Sequence, residues 1–509
     1  MSQDYSFPSV RRDGLILIFG LGETGLAAAR WCAAWGASLR VLDTREQPGG
    51  LAALQAEGIA ADLRLGVGAV ETGALEDVHT LVLSPGLNPH QSPVSDLLTE
   101  ARARGIEILG EIELFARALS DLRDQGHAPR LAAITGTNGK TTVTSLVRHL
   151  ARGCGVPVRA AGNIGPAALA SLQDALVKDD LPDLWVLELS SFQLETTSTL
   201  QPDVGVVLNL TQDHLDWHGS MQAYAQAKAR LLKMARVAVV NRDDAWTCGM
   251  VEDLAAQAVR SFGRTAPVRA GDFGLLSQHG LDWLAWAAPD GSDEPSAAST
   301  RRKAFAPAPV RRAGRLQPLM PVEALRIHGV HNALNALAAL ALGVELGLGW
   351  APMLNALRDY RGEAHRTELV RTVAGVDFID DSKGTNVGAT LAALQGQDRP
   401  VVLIAGGLGK GQDFSPLAPV VQAHARAVLL IGQDGPRLGE ALARCGVPLE
   451  PCDTLQQAVE RSMELAQQGD AVLLSPACAS MDMFRNYAHR SACFVEAVRE
   501  LALDHGEVA

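Results

Sequence analysis

The strongest constraint on this chain is a repeated order of segments: a short apolar run, a glycine-rich turn, then an alanine- and leucine-rich stretch of helical character. The runs fall at 15–19, 39–42, 80–83, 131–134, 185–189, 204–208 and 237–240, and the pattern restarts at 378–379, 401–405, 428–431 and 471–474. Strands that are apolar along their whole length are buried on both faces, which requires helices above and below a parallel sheet. The fold class expected is therefore α/β. With roughly 150 residues per domain, the 509 residues correspond to about three such units.

A first boundary is expected within the polar stretch 120–130 and a second near 359–366, which divides the chain into 1–124, 125–361 and 362–509. Residues 287–318 are rich in Pro, Ala, Ser and Arg and lack periodicity. They read as a flexible surface insertion, with a docking site built on the Arg pairs 301–302 and 311–312 as the alternative. No solenoid period is visible, and the SP dipeptides of SPGLNP (84–89) and SPACAS (475–480) do not establish a duplication.

Charge narrows the function classes. A net charge of −12 argues against general nucleic-acid or anionic-membrane binding, while leaving room for local basic pockets. Seven cysteines without a C-x-x-C pair fit reduced thiols and a cytoplasmic location. The apolar run behind Arg11 and Arg12 is far too short for a signal core or a membrane span.

Two glycine-rich loops carry the chemistry. Gly20 to Gly25 form a GxGxxG at a strand-to-helix turn, and Asp43 ends the next strand. Alone this suggests NAD, yet a backbone turn at a helix N-terminus suits any nucleotide diphosphate, and a tight turn with no ligand is the plain alternative. The second loop, Thr135-Gly136-Thr137-Asn138-Gly139-Lys140-Thr141-Thr142, lies between a strand and a helix. Its N–H groups can cradle phosphates, Lys140 can reach the β/γ oxygens, and Thr141 can hold Mg²⁺. Ile134 stands where a full Walker loop has glycine.

Glu188 and His214 end later strands, where an α/β sheet presents its ligands, and both can bind Mg²⁺. A carboxylate behind an apolar strand needs a partner. His214 alone could equally cap or pack, and Lys228 alone would pass for a solvated lysine. Asn241 and Asp244 read as sheet-end structure.

Taken in order, GTNGKTT, ELSSFQLE, NLTQDHLDWHG, AYAQAKARL, GVHNALNALAA, EAHRTE, DSKGTNVGAT and SPACASMDMF resemble the Mur ligases of peptidoglycan synthesis over nearly the whole chain outside 287–318. The resemblance implies an N-terminal Rossmann-like UDP-binding domain, a central P-loop ATPase-type domain and a C-terminal Rossmann-like amino-acid-binding domain. It implies ATP-driven amide formation through an acyl phosphate. DSKGTN, SPACAS and the following FRNY are most similar to the branch that adds D-glutamate to UDP-N-acetylmuramoyl-L-alanine, with other branches or a folylpolyglutamate-synthase-like ligase as the nearest alternatives. A dehydrogenase would leave the second loop idle, and a nucleotide-switch module would bind ATP without ligand-stimulated turnover.

Residue by residue, the resemblance implies that Gly136, Thr137, Asn138, Gly139, Lys140, Thr141 and Thr142 bind ATP phosphates, that Asn332 and Asn335 receive adenine, and that Arg366 and Asp381 lie near the nucleotide. Thr141, Glu188, His214 and a carbamylated Lys228 would serve two magnesium sites. Lys140, His214 and Lys228 form the catalytic set. Gly22, Glu23, Thr24, Asp43, Thr44, Arg45, Ser84 and Asn163 fall at the UDP-substrate positions, and Lys383, Thr385, Lys410, Ser480, Met481 and Tyr487 at those for D-glutamate. A monomer is expected. Glu23, Leu408 and Ser491 depart from the family pattern, the last where HRG or ERG is more usual.

Overall fold

The apolar runs become strands of three mainly parallel sheets in the computed structural model, which describes residues 5–70, 73–252, 254, 258–289 and 311–507. β1 (Leu15–Phe19), β2 (Ser38–Asp43), β3 (Asp62–Leu65), β4 (Val78–Leu83) and β5 (Glu107–Leu109) form a parallel sheet in the order β3-β2-β1-β4-β5. β6 (Arg130–Thr135), β7 (Val158–Gly162), β8 (Leu184–Glu188), β9 (Val204–Val207), β10 (Val237–Asn241) and β11 (Ala258–Phe262) form a second, ordered β11-β10-β9-β6-β8-β7. β12 (Phe273–Gln278), β13 (Leu281–Ala288) and β14 (Arg315–Pro321) add a small antiparallel sheet.

The last sheet is ordered β15-β16-β20-β17-β18-β19. Its strands are β15 (Glu368–Val373), β16 (Val376–Asp380), β17 (Val401–Gly406), β18 (Ala425–Ile431), β19 (Leu449–Pro451) and β20 (Ala471–Leu474). Strand order reverses at β1 in the first sheet and at β6 in the second. Both glycine-rich loops therefore leave the carboxyl end of a switch-point strand, where helix N-termini diverge and open a crevice.

The first two sheets share a core. Trp31, Phe115 and Leu122 pack in one cluster with Leu131, Trp185 and Leu187. Phe115, on the helix Glu111–Asp124, meets Trp185 of β8 edge-on with ring centroids 5.1 Å apart. Burying one phenylalanine in this way contributes roughly 1.5–3 kcal/mol. The last sheet has separate cores on its two faces, one around Phe378 and Phe494 and one around Leu403 and Leu473.

The helix Glu111–Asp124 runs into the stretch 120–130 and keeps burying residues through Leu122. Two local expectations need correction. The segment 287–318 is ordered at both ends: Ala287 and Ala288 pair with Leu316 and Arg315, and Arg311 forms an ion pair with Asp272. Residues 290–310, including Arg301 and Arg302, lie outside the described residues. β14 escaped the sequence reading because it is an edge strand with four exposed residues and two prolines, a composition tolerated only where one side of the ladder is free. β15 also runs antiparallel to its neighbour, at the edge of an otherwise parallel sheet.

Candidate active site

β6 delivers the second loop directly into the helix Lys140–Gly153. Gly139 adopts φ +82°, and a Cβ there would stand 2.6 Å from Asn335 Oδ1. Only glycine permits both the left-handed turn and that approach. The loop is pinned from β9's end: Asn138 N–H donates to Asn209 Oδ1 over 2.8 Å, and Asn209 Nδ2 returns a bond to Asn138 O over 3.1 Å. Lys140 Nζ is held by the carbonyls of Gly136 at 2.9 Å and Thr137 at 2.8 Å. Burial lowers the pKa of its ammonium, opposed by the charges of Glu188 and Asp213.

Thr141 and Thr142 are buried in the first helical turn, and the Thr141 hydroxyl accepts from Arg366 Nη2 over 3.0 Å. Asn332 and Asn335 are both buried, and Asn335 Nδ2 donates to Asn332 Oδ1 over 3.2 Å. Their helix, Val330–Glu345, packs along Lys140–Gly153, which brings this pair to the phosphate loop.

Glu188 ends β8 with 2 % of its surface exposed. Its Oε1 accepts from Asn163 Nδ2 over 2.8 Å, whereas its buried Oε2 has no hydrogen-bond partner. A buried carboxylate oxygen without a donor is costly in isolation and suits a cation. His214, in the left-handed region at φ 54°, lies with its ring against Phe192 and 3.5 Å from Asp213. Burial, reinforced by the charges of Lys410, Lys140 and Lys228 and opposed by Asp213, depresses its pKa to about 4. A neutral imidazole is the form that ligates metal.

Lys228 sits on the helix Met221–Met234, N-capped by the Ser220 hydroxyl. It is only 1 % exposed. Its Nζ lies 2.8 Å from Gly136 O, 3.4 Å from Thr135 Oγ1 and 4.6 Å from the centre of the Tyr224 ring. Burial, and then the nearby Lys140 ammonium, hold its pKa well below the usual lysine range. The reading of Lys228 as a solvated lysine is therefore wrong.

Asp381 is buried after β16, accepts from Ser475 Oγ over 2.7 Å, and is pushed by burial up to about 7. Lys383 lies 5.2 Å from the centre of the Tyr487 ring, with its pKa lowered to about 8 by burial and by Arg366. Thr385 follows on the same loop, Lys410 on the loop after β17, and Ser480, buried, on the loop after β20. Three strand ends of the last sheet thus carry these candidates. Met481, next to Ser480 on the same loop, is 66 % exposed.

At the first loop, Gly22, Glu23 and Thr24 open the helix Glu23–Ala34, and a Cβ on Gly25 would overlap Gly20 O at 1.8 Å. Ser84 Oγ donates to Gly20 O over 2.7 Å. Asp43 is buried, and its carboxylate accepts from Leu21 N–H at 2.7 Å and from the Arg45 guanidinium at 2.7 Å and 2.9 Å, with Thr44 between them. Asp43 thus braces the loop and Arg45. Glu23 faces the 163–165 turn: a Cβ on Gly165 would stand 3.7 Å from Glu23 Oε1. Asn163 of that turn donates to Glu188.

Sequence reasoning missed Asp213, Asn209, Asn386 and Tyr224. Asn386 Nδ2 reaches Asn138 Oδ1 at 3.0 Å and Asp213 Oδ2 at 3.4 Å, and the Tyr224 hydroxyl meets Thr137 Oγ1 at 3.2 Å. All four lie inside the quoted motifs NLTQDHLDWHG, AYAQAKARL and DSKGTNVGAT, but the spacing does not show which side chain turns inward. Asn241 and Asp244 are structural, bonding Leu208 O and capping the helix Ala245–Gly249.

Three family descriptions match: "Mur ligase MurD-like, N-terminal domain" over residues 14–110, "Mur ligase middle domain" over 134–280, and "Mur ligase, glutamate ligase domain" over 365–478. The chain is 63% identical to a UDP-N-acetylmuramoylalanine--D-glutamate ligase of Bordetella bronchiseptica, covering 97% of this chain and 98% of that one. It is 54% identical to the protein of the same name from Burkholderia mallei, over 97% and 99%. In fold it is similar to the solved UDP-N-acetylmuramate-alanine ligase MurC of Thermotoga maritima, with TM-score 0.54, 18% identity, and 96% and 99% of the two chains covered.

Proposed function

The chain belongs to the Mur ligase family, and from that premise we propose that it joins D-glutamate to UDP-N-acetylmuramoyl-L-alanine, converting ATP to ADP and phosphate. The observation that carries this reading is the near-full-length identity to D-glutamate ligases. In the proposed division, 1–124 holds the UDP-substrate, 125–361 binds ATP, and 362–509 binds D-glutamate. We read the protein as a cytoplasmic monomer. None of the helices among the described residues is long and apolar enough to cross a membrane.

The reaction runs in two displacements. The alanyl carboxylate attacks the γ-phosphorus of ATP, forming an acyl phosphate and releasing ADP. The glutamate amine, having lost a proton, adds to the acyl carbon, and the tetrahedral intermediate expels phosphate to leave the amide. Loop N–H groups and Lys140 neutralise the transferring phosphoryl group, and Asn332 and Asn335 orient the base. Lys383, Lys410, Thr385 and Ser480 offer cations and hydroxyls for a dicarboxylate. On the first sheet, Gly22, Thr24, Arg45 and Ser84 are suited to the uridine diphosphate.

The donor set fits magnesium, since Glu188 offers a buried oxygen with no other partner, His214 is neutral, and Thr141 supplies a hydroxyl. Bound there, Mg²⁺ supplies positive charge to the phosphate oxygens and the attacking carboxylate. Lys228 is carbamylated in this reading: a neutral amine adds to CO₂ and releases a proton, giving an anion beside the metal ligands. The depressed pKa of Lys228 supplies the neutral amine that this step needs.

The test is phosphate release from ATP in the presence of UDP-N-acetylmuramoyl-L-alanine and one amino acid. D-Glutamate should support turnover, and L-glutamate, meso-diaminopimelate and L-alanine should not. Turnover with one of those three in place of D-glutamate would move the chain to another branch of the family.

A further inference from the structure

Ser491 stands in the helix Tyr487–Asp504, buried and outside the site described above. Its hydroxyl lies 2.6 Å from Asp380 Oδ2 and 2.7 Å from His365 Nδ1, and His365 Nδ1 is itself 3.1 Å from Asp380 Oδ2. The proton positions follow from the chemistry. A carboxylate only accepts, so Ser491 donates to Asp380, and its lone pairs face the ring. Nδ1 therefore carries the proton and shares it between Ser491 Oγ and Asp380 Oδ2. The remaining Asp380 oxygen accepts from Ser382 N–H over 2.8 Å, so the carboxylate is fixed from both sides.

This knot lies at the start of the third unit and anchors a strained segment. His365 has φ 65° and Thr367 has φ 46°, left-handed values that cost non-glycine residues on the order of 1 kcal/mol or more each. Arg366 lies between them and crosses to the phosphate-loop helix to reach Thr141. Its Nε is buried without an acceptor. The aim of the guanidinium thus depends on the backbone that carries it, and His365 is the neighbour whose side chain is fastened to the sheet.

We propose that Ser491 is a positioning residue for nucleotide binding: its hydroxyl fastens His365 to Asp380, and the fastened backbone holds Arg366 on Thr141. Ser491 therefore acts through Arg366 and touches no substrate. The inference rests on the ligase reading only in taking ATP as the nucleotide.

The test is a double-mutant cycle between Ser491→Ala and Arg366→Ala in the full-length protein. Dissociation constants for ATP are measured calorimetrically, alongside KM for each substrate. Ser491→Ala should weaken ATP by roughly five- to tenfold, the scale of one ordinary intramolecular hydrogen bond. KM for the UDP-substrate should stay unchanged. In the Arg366→Ala background, Ser491→Ala should have no further effect. Asp380→Asn, which keeps the volume but removes the charge, should reproduce the loss, and melting curves establish that each variant is folded.

Effects of Ser491→Ala and Arg366→Ala that multiply independently, or wild-type ATP affinity in folded Ser491→Ala and Asp380→Asn, would overturn the proposal. A different amino-acid specificity would overturn the D-glutamate assignment and leave this cycle intact, because ATP binding is read without the amino acid.

Discussion

Lys228 Nζ donates to the Gly136 carbonyl over 2.8 Å, so a buried amine hangs from the first glycine of the phosphate loop. A cation at that point would lie beside Lys140, the second cause of its lowered pKa after burial, whereas a carbamate would reverse the sign. Lys228→Ala and Lys228→Arg should each lose about a hundredfold or more in kcat, the scale of losing a preorganised charge. Acetate or formate should partly restore the alanine variant and leave the arginine variant inactive. Wild-type turnover of Lys228→Arg in bicarbonate buffer would refute the carbamate.

Asn386 ties the third unit to the phosphate loop through Asn138 and also N-caps the helix Val387–Gln395. Asn386→Asp keeps the cap but loses the amide donor and sets an anion beside Asp213. The variant should fold with lowered stability, because two buried carboxylates then face each other, and lose about tenfold or more in kcat, as expected when a contact completing the site is removed. With ATP and the UDP-substrate bound, it should scatter as a more extended particle than the wild type. Identical scattering profiles with normal kcat would show that the contact is dispensable.

Glu111 accepts from Leu169 N–H over 2.6 Å, joining the helix Glu111–Asp124 to the N-terminus of the helix Ala168–Lys178, while burial pushes its pKa up to about 7. Because the folded-state value exceeds the unfolded one, the folded chain binds the extra proton between about pH 4.5 and 7. Stability contributed at low pH is therefore lost as pH rises through that window, by an amount on the order of 3 kcal/mol, and changes no further above it. Asp381, also raised by burial, acts in the same direction. Denaturant unfolding of Glu111→Gln at pH 5 and pH 8 should show a smaller difference than the wild type. An unchanged difference would mean that the carboxyl is ionised in the folded protein.

Replacing 290–310 with a short Gly/Ser linker should preserve turnover, whereas excising all of 287–318 should lower the melting temperature. The larger excision removes Ala287 and Ala288 from β13, most of β14's pairing with them, and the Arg311–Asp272 ion pair. Equal melting temperatures for the two deletions would show that these strand ends contribute nothing to stability.

The longest local patterns were legible without the structure. β1 occupies 15–19 and the helix containing Lys228 occupies 221–234, each with the bounds its apolar period suggests, because continuous burial and helical spacing leave their mark residue by residue. Edge strands such as β14 leave no such mark, since half-solvated backbone accepts nearly any side chain. Lys228 misleads for the opposite reason. Its helix reads as partly solvated, and packing against β9 and the loop after β6 turns Lys228 inward together with Tyr224, Leu231 and Leu232.

The order of motifs determined the α/β class, the phosphate loop and the family, because a loop that binds phosphate with its backbone must carry glycine, lysine and hydroxyls in fixed succession. What tertiary structure alone decided is which side chains meet. Asn163 reaches Glu188, Arg366 reaches Thr141, and Ser491 fastens His365 to Asp380, contacts separated by 25, 225 and 126 positions. Such pairs follow from strand order and helix packing, and no local spacing encodes them. The state of Lys228 belongs to the same class, since its depressed pKa arises from burial and from Lys140, brought beside it across the sheet.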